Sequence, residues 1–233
     1  MMNSGQTADR YPKTKIVCTL GPSTESEEII RELVQQGMSV ARMNLSHGTL
    51  ESHAAAIEWV RSGSDQVGVP VGIMVDVPGS KYRVGPLAPG VVELKRGDRL
   101  TLTSQDVVGT EKLIAVSPPG IHRDAAVGRP VLLDDGLVEL GVVDVQGKDV
   151  HCEVVVGGRI TELRGVTTPG KAPSQPFPDE RAVEALRFAA EQQADFVALS
   201  TVTGQEDVHK ARDILRKHGG DAQIISKIER ADV

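Results

Sequence analysis

The chain has 233 residues, of which 39% are hydrophobic and 25% are charged, and its formal net charge is −6. This composition is ordinary for a globular protein with a sizeable core, and the acidic charge with only 3% aromatic residues excludes the basic, aromatic-rich stripe of a nucleic-acid partner. The apolar runs are too short to cross a bilayer and the first fourteen residues lack the apolar core of a secretory signal, so we expect no membrane partner and a cytoplasmic protein. Cys18 and Cys152 have no ligand-spaced neighbours and are expected to be buried thiols.

The first part of the chain alternates between strand and helix patterns. A strand is predicted at 15–20, and the run from Thr24 to Glu27 predicts a capping box that opens a helix ending at Gly37. A second strand (38–43), a second helix (50–61) and a third strand (71–75) follow. Because buried strands joined by helices form parallel sheets, this βαβαβ pattern predicts an open doubly wound sheet or a closed barrel.

The pattern changes between about residues 84 and 170. Short β-branched runs at 99–103, 131–143 and 150–156 are broken by Gly, Pro and Asp-Gly, and no helical period is visible. We therefore predict a small all-β domain inserted into the α/β scaffold.

The alternation then resumes and brings the scaffold to five strands. Asp179 is predicted to cap a helix, and it is followed by a strand at 196–200, a helix at 206–217 and a strand at 223–228. The predicted domains are a flexible N-terminus (1–14), a discontinuous α/β portion (15–83 and 171–233) and the β insertion (84–170).

Polar side chains follow two of the predicted strands. Arg42 ends the second strand, where a guanidinium can bind a phosphate with two hydrogen bonds, although a surface Arg paired with a carboxylate is the alternative. Asn44 and Ser46 supply neutral oxygens and Asp76 a carboxylate, and hard cations prefer such ligands. These residues suggest a site for an anionic, metal-bound substrate at the strand ends.

Lys227 and Glu229 lie two residues apart at the end of the last predicted strand. Side chains at this spacing share one face of a strand, and in a barrel that face is the interior next to the site. A salt bridge at the strand end is the alternative. Together with Arg42, this pair indicates phosphoryl transfer.

Several motifs occur in one order: the runs 15–24, 37–48, 131–137 and 224–229. In this order they resemble pyruvate kinase, from about Lys13 to Val233. The resemblance implies a (β/α)₈ TIM-type barrel with an inserted β lid domain, of which about five of the eight barrel strands are present here. It also implies phosphoryl transfer from phosphoenolpyruvate to ADP, giving pyruvate and ATP, with Mg²⁺ or Mn²⁺ in a cytoplasmic homo-oligomer.

The resemblance also implies roles for single residues. Arg42 and Lys227 would neutralise the transferring group, Glu229 would bind the divalent metal, and Asn44, Ser46 and Asp76 match a monovalent-cation site. The nucleotide would meet four residues of the matching pattern: His47, Arg83, Asp135 and Arg164. For two of these a plain structural role stays open, because His47 could be an ordinary residue before a helix and Asp135 an ordinary hairpin-turn residue.

The segment from Asp76 to Arg83 departs from the family pattern. The usual Asp-x-x-Gly-Pro-Glu-Ile-Arg is here Asp-Val-Pro-Gly-Ser-Lys-Tyr-Arg, with Lys81 at the Glu position. Its ammonium could replace the charge of bound potassium, so we expect activity without a monovalent cation. A merely solvated Lys81 is the alternative.

The family's second metal-binding Asp would lie one strand beyond Glu229, and five barrel strands cannot close a barrel. The exposed edge left by an open barrel is expected to cause aggregation or dimerisation. Departures at Pro78, Ser80, Lys81 and Thr203 leave open a non-catalytic module that binds a phosphoanion or a nucleotide. A metal-dependent lyase of phosphoenolpyruvate or pyruvate is a third possibility, but the β insertion argues against it because a lyase has little use for a nucleotide clamp.

Overall fold

The computed structural model describes residues 13–79, 81–170, 174 and 177–229. Two compact units make up the chain: the α/β unit (Met1–Pro78 and Glu180–Lys227) and the β unit (Gly79–Asp179 and Ile228–Val233). Most of the predicted N-terminal segment, the predicted boundary at residue 171 and the departure at Ser80 lie outside the described residues.

The strands, numbered in chain order, are β1 (Ile16–Leu20), β2 (Met38–Asn44), β3 (Gly72–Val77), β4 (Tyr82–Val84), β5 (Val91–Leu94), β6 (Arg99–Thr103), β7 (Leu113–Ser117), β8 (Pro130–Leu133), β9 (Val138–Gln146), β10 (Asp149–Val156), β11 (Gly158–Thr161), β12 (Gly165–Thr167), β13 (Phe196–Leu199) and β14 (Gln223–Ser226). The helices are α1 (Glu27–Gln35), α2 (Leu50–Val67), α3 (Ile121–Asp124), α4 (Glu180–Glu191) and α5 (Gln205–Lys217). No helix in the described part of the chain is long and apolar enough to cross a membrane.

The α/β unit is built on a parallel sheet in the order β1-β2-β3-β13-β14, which confirms the five predicted scaffold strands. Each of the first four strands of the sheet is connected to the next by a segment that contains a helix, as parallel pairing requires. The sheet interior is continuous and apolar, since Ala41, Met43, Val75, Val197 and Leu199 are almost completely buried. Because all the pairings are parallel, the carboxyl ends of all five strands lie at the same end of the sheet.

Two helix boundaries differ from the predictions. The N-cap of α1 is Ser26, whose hydroxyl accepts from the Ile29 amide at 3.2 Å, so the predicted capping box at Thr24 is wrong. The second helix continues beyond Arg61 to Val67, because Gly63 lies directly against the backbone of α1 and the helix ends only at Gly68, with φ +72°.

The β unit contains a closed seven-stranded barrel in the order β10-β6-β7-β4-β12-β8-β9, beside a pair formed by β5 and β11. The barrel core consists of buried Val, Leu and Ile side chains such as Leu102, Ile114 and Leu140. Residues 131–143 form parts of two strands, β8 and β9, separated by a turn at 134–136, and not one run. The short helix α3 lies in a stretch for which no helix was predicted.

Candidate active site at the carboxyl edge of the parallel sheet

Every strand of the parallel sheet contributes one polar residue at or just beyond its carboxyl end. These residues are Thr19, Arg42, Asp76, Ser200 and Lys227. The strand register places Thr19 level with Arg42, whereas Asp76 is level with Asn44 and Ala198, two residues further along the strands. Parallel strands collect their carboxyl-end side chains at a single edge, which is where α/β proteins build their sites.

Asp76 is the centre of this group, and its side chain is only 3% exposed. Arg42 donates to Oδ2 from Nε at 2.8 Å and also from Nη2. The Lys227 ammonium lies 3.0 Å from Oδ1 and 3.2 Å from Oδ2, and the Ser200 hydroxyl donates to Oδ1 at 3.2 Å. A buried carboxylate requires such charged and hydrogen-bonding partners.

Two cations, the Arg42 guanidinium and the Lys227 ammonium, share this one carboxylate. The Arg42 and Lys227 side chains are 32% and 28% exposed, which leaves part of each accessible to a ligand. Thr19 fixes the other end of the guanidinium, because its hydroxyl accepts from Nη1 at 2.8 Å. The arrangement is a preorganised cationic site that suits an anion with charge on several oxygens.

The loop after β2 carries Ser46 and His47, and the predicted cation ligand Asn44 is the last residue of β2. The Asn44 side-chain oxygen accepts from the Ser46 amide at 3.2 Å, and the Leu45 amide donates to the Asp76 carbonyl at 3.2 Å. Both Asp76 carboxylate oxygens and the Asn44 oxygen are thus engaged by donors. A monovalent cation bound to Asp76 would compete with the Lys227 ammonium for these oxygens, and the predicted cation site stays a prediction.

Four further residues that the sequence predicts to take part in the site lie in the β unit: Lys81, Arg83, Asp135 and Arg164. Lys81 Nζ is 3.9 Å from Asp135 Oδ1, and Arg164 Nη1 is 3.3 Å from Asp134 Oδ1. Arg83 donates to a backbone carbonyl, that of Leu163, at 2.9 Å.

The turn that carries the two aspartates is strained, because Asp134 and Asp135 have φ values of 51° and 55°. The structure thus places the predicted nucleotide residues Arg83, Asp135 and Arg164 within one unit, where Asp135 faces Lys81. Their proposed contact with a nucleotide stays a prediction.

The prediction that Lys227 and Glu229 share a strand face is wrong, because β14 ends at Ser226 and both residues follow it. The chain stays attached to the sheet through the Lys227 amide, which donates to the Leu199 carbonyl at 3.0 Å. Glu229 is exposed. Among the described residues, no three His, Cys, Asp or Glu side chains form a metal-binding cluster.

Thr19 and Ser200 were not predicted as site residues. The signal that could have found them is their position, because each lies at the end of a predicted strand whose neighbours carry Arg42 and Asp76.

The prediction of buried thiols is confirmed for Cys152, which is buried, whereas Cys18 is only half-buried. Burial raises the pKa of the Cys152 thiol to about 12.

Comparison with known proteins assigns the family. Residues 11–233 match the family model described as pyruvate kinase, barrel domain. The chain is 40% identical over 220 residues to a pyruvate kinase of Corynebacterium efficiens, which covers 94% of this chain and 46% of that protein. It is 37% identical over 222 residues to a pyruvate kinase of Staphylococcus aureus, with 94% of this chain and 38% of the relative covered. The chain spans less than half the length of these relatives, and it belongs to the pyruvate kinase barrel-domain family.

Proposed function

We propose that the complete protein moves a phosphoryl group between phosphoenolpyruvate and ADP, giving pyruvate and ATP. The observation that carries this proposal is the buried Asp76 carboxylate, which holds Arg42 and Lys227 side by side. Phosphoryl transfer spreads negative charge over three oxygens, and fixed cations are its main means of stabilisation. Similarity to pyruvate kinases of Corynebacterium efficiens and Staphylococcus aureus supports the same reaction.

In this proposal Arg42 binds the phosphate of phosphoenolpyruvate, and Lys227 stabilises the phosphoryl group as it moves. Asp76 holds both cations in place, while Thr19 fixes the plane of the guanidinium. Because these partners are already in position, little reorganisation is needed during the reaction. The enolate left behind is then protonated to pyruvate.

In the α/β unit we assign a nucleotide-binding role to His47. In the β unit we assign nucleotide-binding roles to Arg83, Asp135 and Arg164. The two arginines supply charge for phosphates, and the exposed Asp135 can meet a nucleotide-bound metal. The β unit corresponds in this proposal to a lid inserted in a (β/α)₈ barrel. The edge strand β1 exposes two apolar side chains, Ile16 and Val17. We propose that further barrel strands, or a second copy of the chain in a homo-oligomer, cover them.

A magnesium or manganese ion, when bound, neutralises charge on the phosphates. Glu229 fits this role because an exposed carboxylate can share the ion with substrate phosphates, which Mg²⁺ accepts as ligands. We propose that potassium is not required, since donors already engage the side-chain oxygens of Asp76 and Asn44. We place the reaction in the cytoplasm.

The test is an assay of the complete protein with phosphoenolpyruvate, ADP and magnesium, in potassium chloride and in tetramethylammonium chloride. We expect pyruvate and ATP in equal amounts, at similar rates in both salts. A strong increase of the rate with potassium would contradict the cation proposal alone. Nucleotide binding without turnover would support a non-catalytic module, and pyruvate formed without ADP would support a lyase.

A further inference from the structure

The loop of residues 45–49 between β2 and α2 is held by hydrogen bonds at both ends. At its start the Leu45 amide donates to the Asp76 carbonyl, and the His47 amide donates to the Asn44 carbonyl, both at 3.2 Å. At its end Thr49 caps α2, with its hydroxyl accepting from the Ser52 amide at 3.3 Å. The side chains of Ser46 and His47 are exposed, so their positions depend on the backbone of this loop.

The middle of the loop is held by His53, which lies in the first turns of α2. His53 is 9% exposed, and its Nε2 lies 2.8 Å from the His47 carbonyl oxygen. A carbonyl only accepts hydrogen bonds, so the ring nitrogen must be the donor and Nε2 carries the proton. This bond connects the helix to the backbone of the loop at His47.

Gly48 lies close to the His53 ring. Its φ of +75° is one that L side chains rarely adopt, and a Cβ added there would lie 3.2 Å from His53 Nε2 and 3.2 Å from Ser52 Oγ. The loop can therefore approach the ring only because residue 48 is a glycine. The His53 hydrogen bond and the glycine at position 48 therefore both favour this one backbone conformation of the loop.

We propose that His53 is a positioning residue for nucleotide binding, which it supports by holding the loop that presents Ser46 and His47. The proposal rests on the proposed function, in which His47 meets the nucleotide phosphates. A loop fixed before binding loses less conformational freedom when the ligand arrives, so its fixation favours affinity. His53 itself lies behind the loop and acts through the His47 backbone.

The first experiment compares three variants of the complete protein. His53→Leu removes the donor at similar size, His53→Gln keeps an amide donor near the Nε2 position, and His209→Leu replaces an exposed histidine of α5 as the control. We expect His53→Leu to raise the KM for ADP about tenfold and His53→Gln to stay within about threefold. The KM for phosphoenolpyruvate should change little in all three. An unchanged KM for ADP in His53→Leu would overturn the proposal.

A second readout does not need turnover. Amide hydrogen exchange of residues 45–49 should become faster in His53→Leu and in Gly48→Ala, while β3 and the rest of α2 keep their protection. ADP binding by calorimetry should weaken in parallel. Faster exchange along all of α2, with no weaker ADP binding, would assign His53 to helix packing and overturn the proposal. If the complete protein transfers no phosphoryl group, the proposed function fails, while exchange and ADP binding still decide the role of His53.

Discussion

Lys227 and Asp76 form an ion pair across an intervening strand. Lys227 follows β14 and Asp76 lies in β3, with β13 between them, yet Nζ is 3.0 Å from Oδ1 and 3.2 Å from Oδ2. The long lysine side chain spans this distance and brings its charge next to Arg42. One carboxylate thus joins residues that are 151 positions apart in the chain.

Replacing Lys227 by Met should remove most of the catalytic rate of the complete protein while the fold remains. Asp76 keeps Arg42 as its partner, so no buried charge is left without compensation. Loss of one fixed charge at a transition state costs about 10²–10³ in kcat. Steady-state kinetics and circular dichroism check this result, with Lys227→Arg as the charge-conserving control. Unchanged turnover in Lys227→Met would remove Lys227 from the mechanism.

Replacing Asp76 by Asn should reduce both stability and activity. The amide has the shape of the carboxylate but no charge, so the Arg42 and Lys227 cations would lose the charge that they share. Because both cations are partly exposed, we expect a loss of about 1–3 kcal/mol in the free energy of unfolding.

Urea unfolding measures the loss of unfolding free energy in Asp76→Asn. The matched control is Ser200→Ala, which removes one hydrogen bond of 3.2 Å and leaves the charges in place. A loss in Asp76→Asn no larger than in Ser200→Ala would contradict the central role of the carboxylate.

The thiol of Cys152 should make the protein less stable at alkaline pH. Its pKa is raised by burial from 9.0 to about 12, so the folded state keeps the proton in this window while the unfolded state releases it. The stability contributed by the neutral thiol is complete below pH 9.0 and is lost as the pH rises towards about 12. Urea unfolding over this pH range should show a smaller slope for Cys152→Ala than for the parent protein. Equal slopes would contradict the prediction.

Arg61 should stabilise the end of α4 without affecting the site. Its Nη2 donates to the Gln192 carbonyl just beyond that helix, and Nη1 pairs with Glu58 at 3.1 Å. Arg61→Ala should cost about 1 kcal/mol of unfolding free energy, measured by urea denaturation. The control Arg187→Ala removes an exposed pair with Glu191 and should change stability by no more than about 0.5 kcal/mol. Equal effects of both substitutions would show that the Gln192 bond adds nothing.

Local sequence signals predicted the scaffold well and its boundaries less well. Apolar periodicity located all five parallel strands, because burial on both faces requires continuous apolar runs. It did not show that α2 passes through Gly63, because the close approach of α1 that favours glycine there is a contact between distant segments. The end of β14 at Ser226 was also missed, since a strand continues only as far as its neighbour offers partners.

The sequence by itself determined which residues could carry the chemistry, because charged and polar side chains directly after apolar strands have few structural roles. Arg42, Asp76 and Lys227 were all identified in this way. Only the tertiary structure decided how they combine: Asp76 pairs with both Arg42 and Lys227, and its predicted role as a cation ligand stays a prediction. Thr19 and Ser200 became site residues for the same reason. Side-chain partners depend on strand order and register, and these are fixed by packing between segments far apart in the chain.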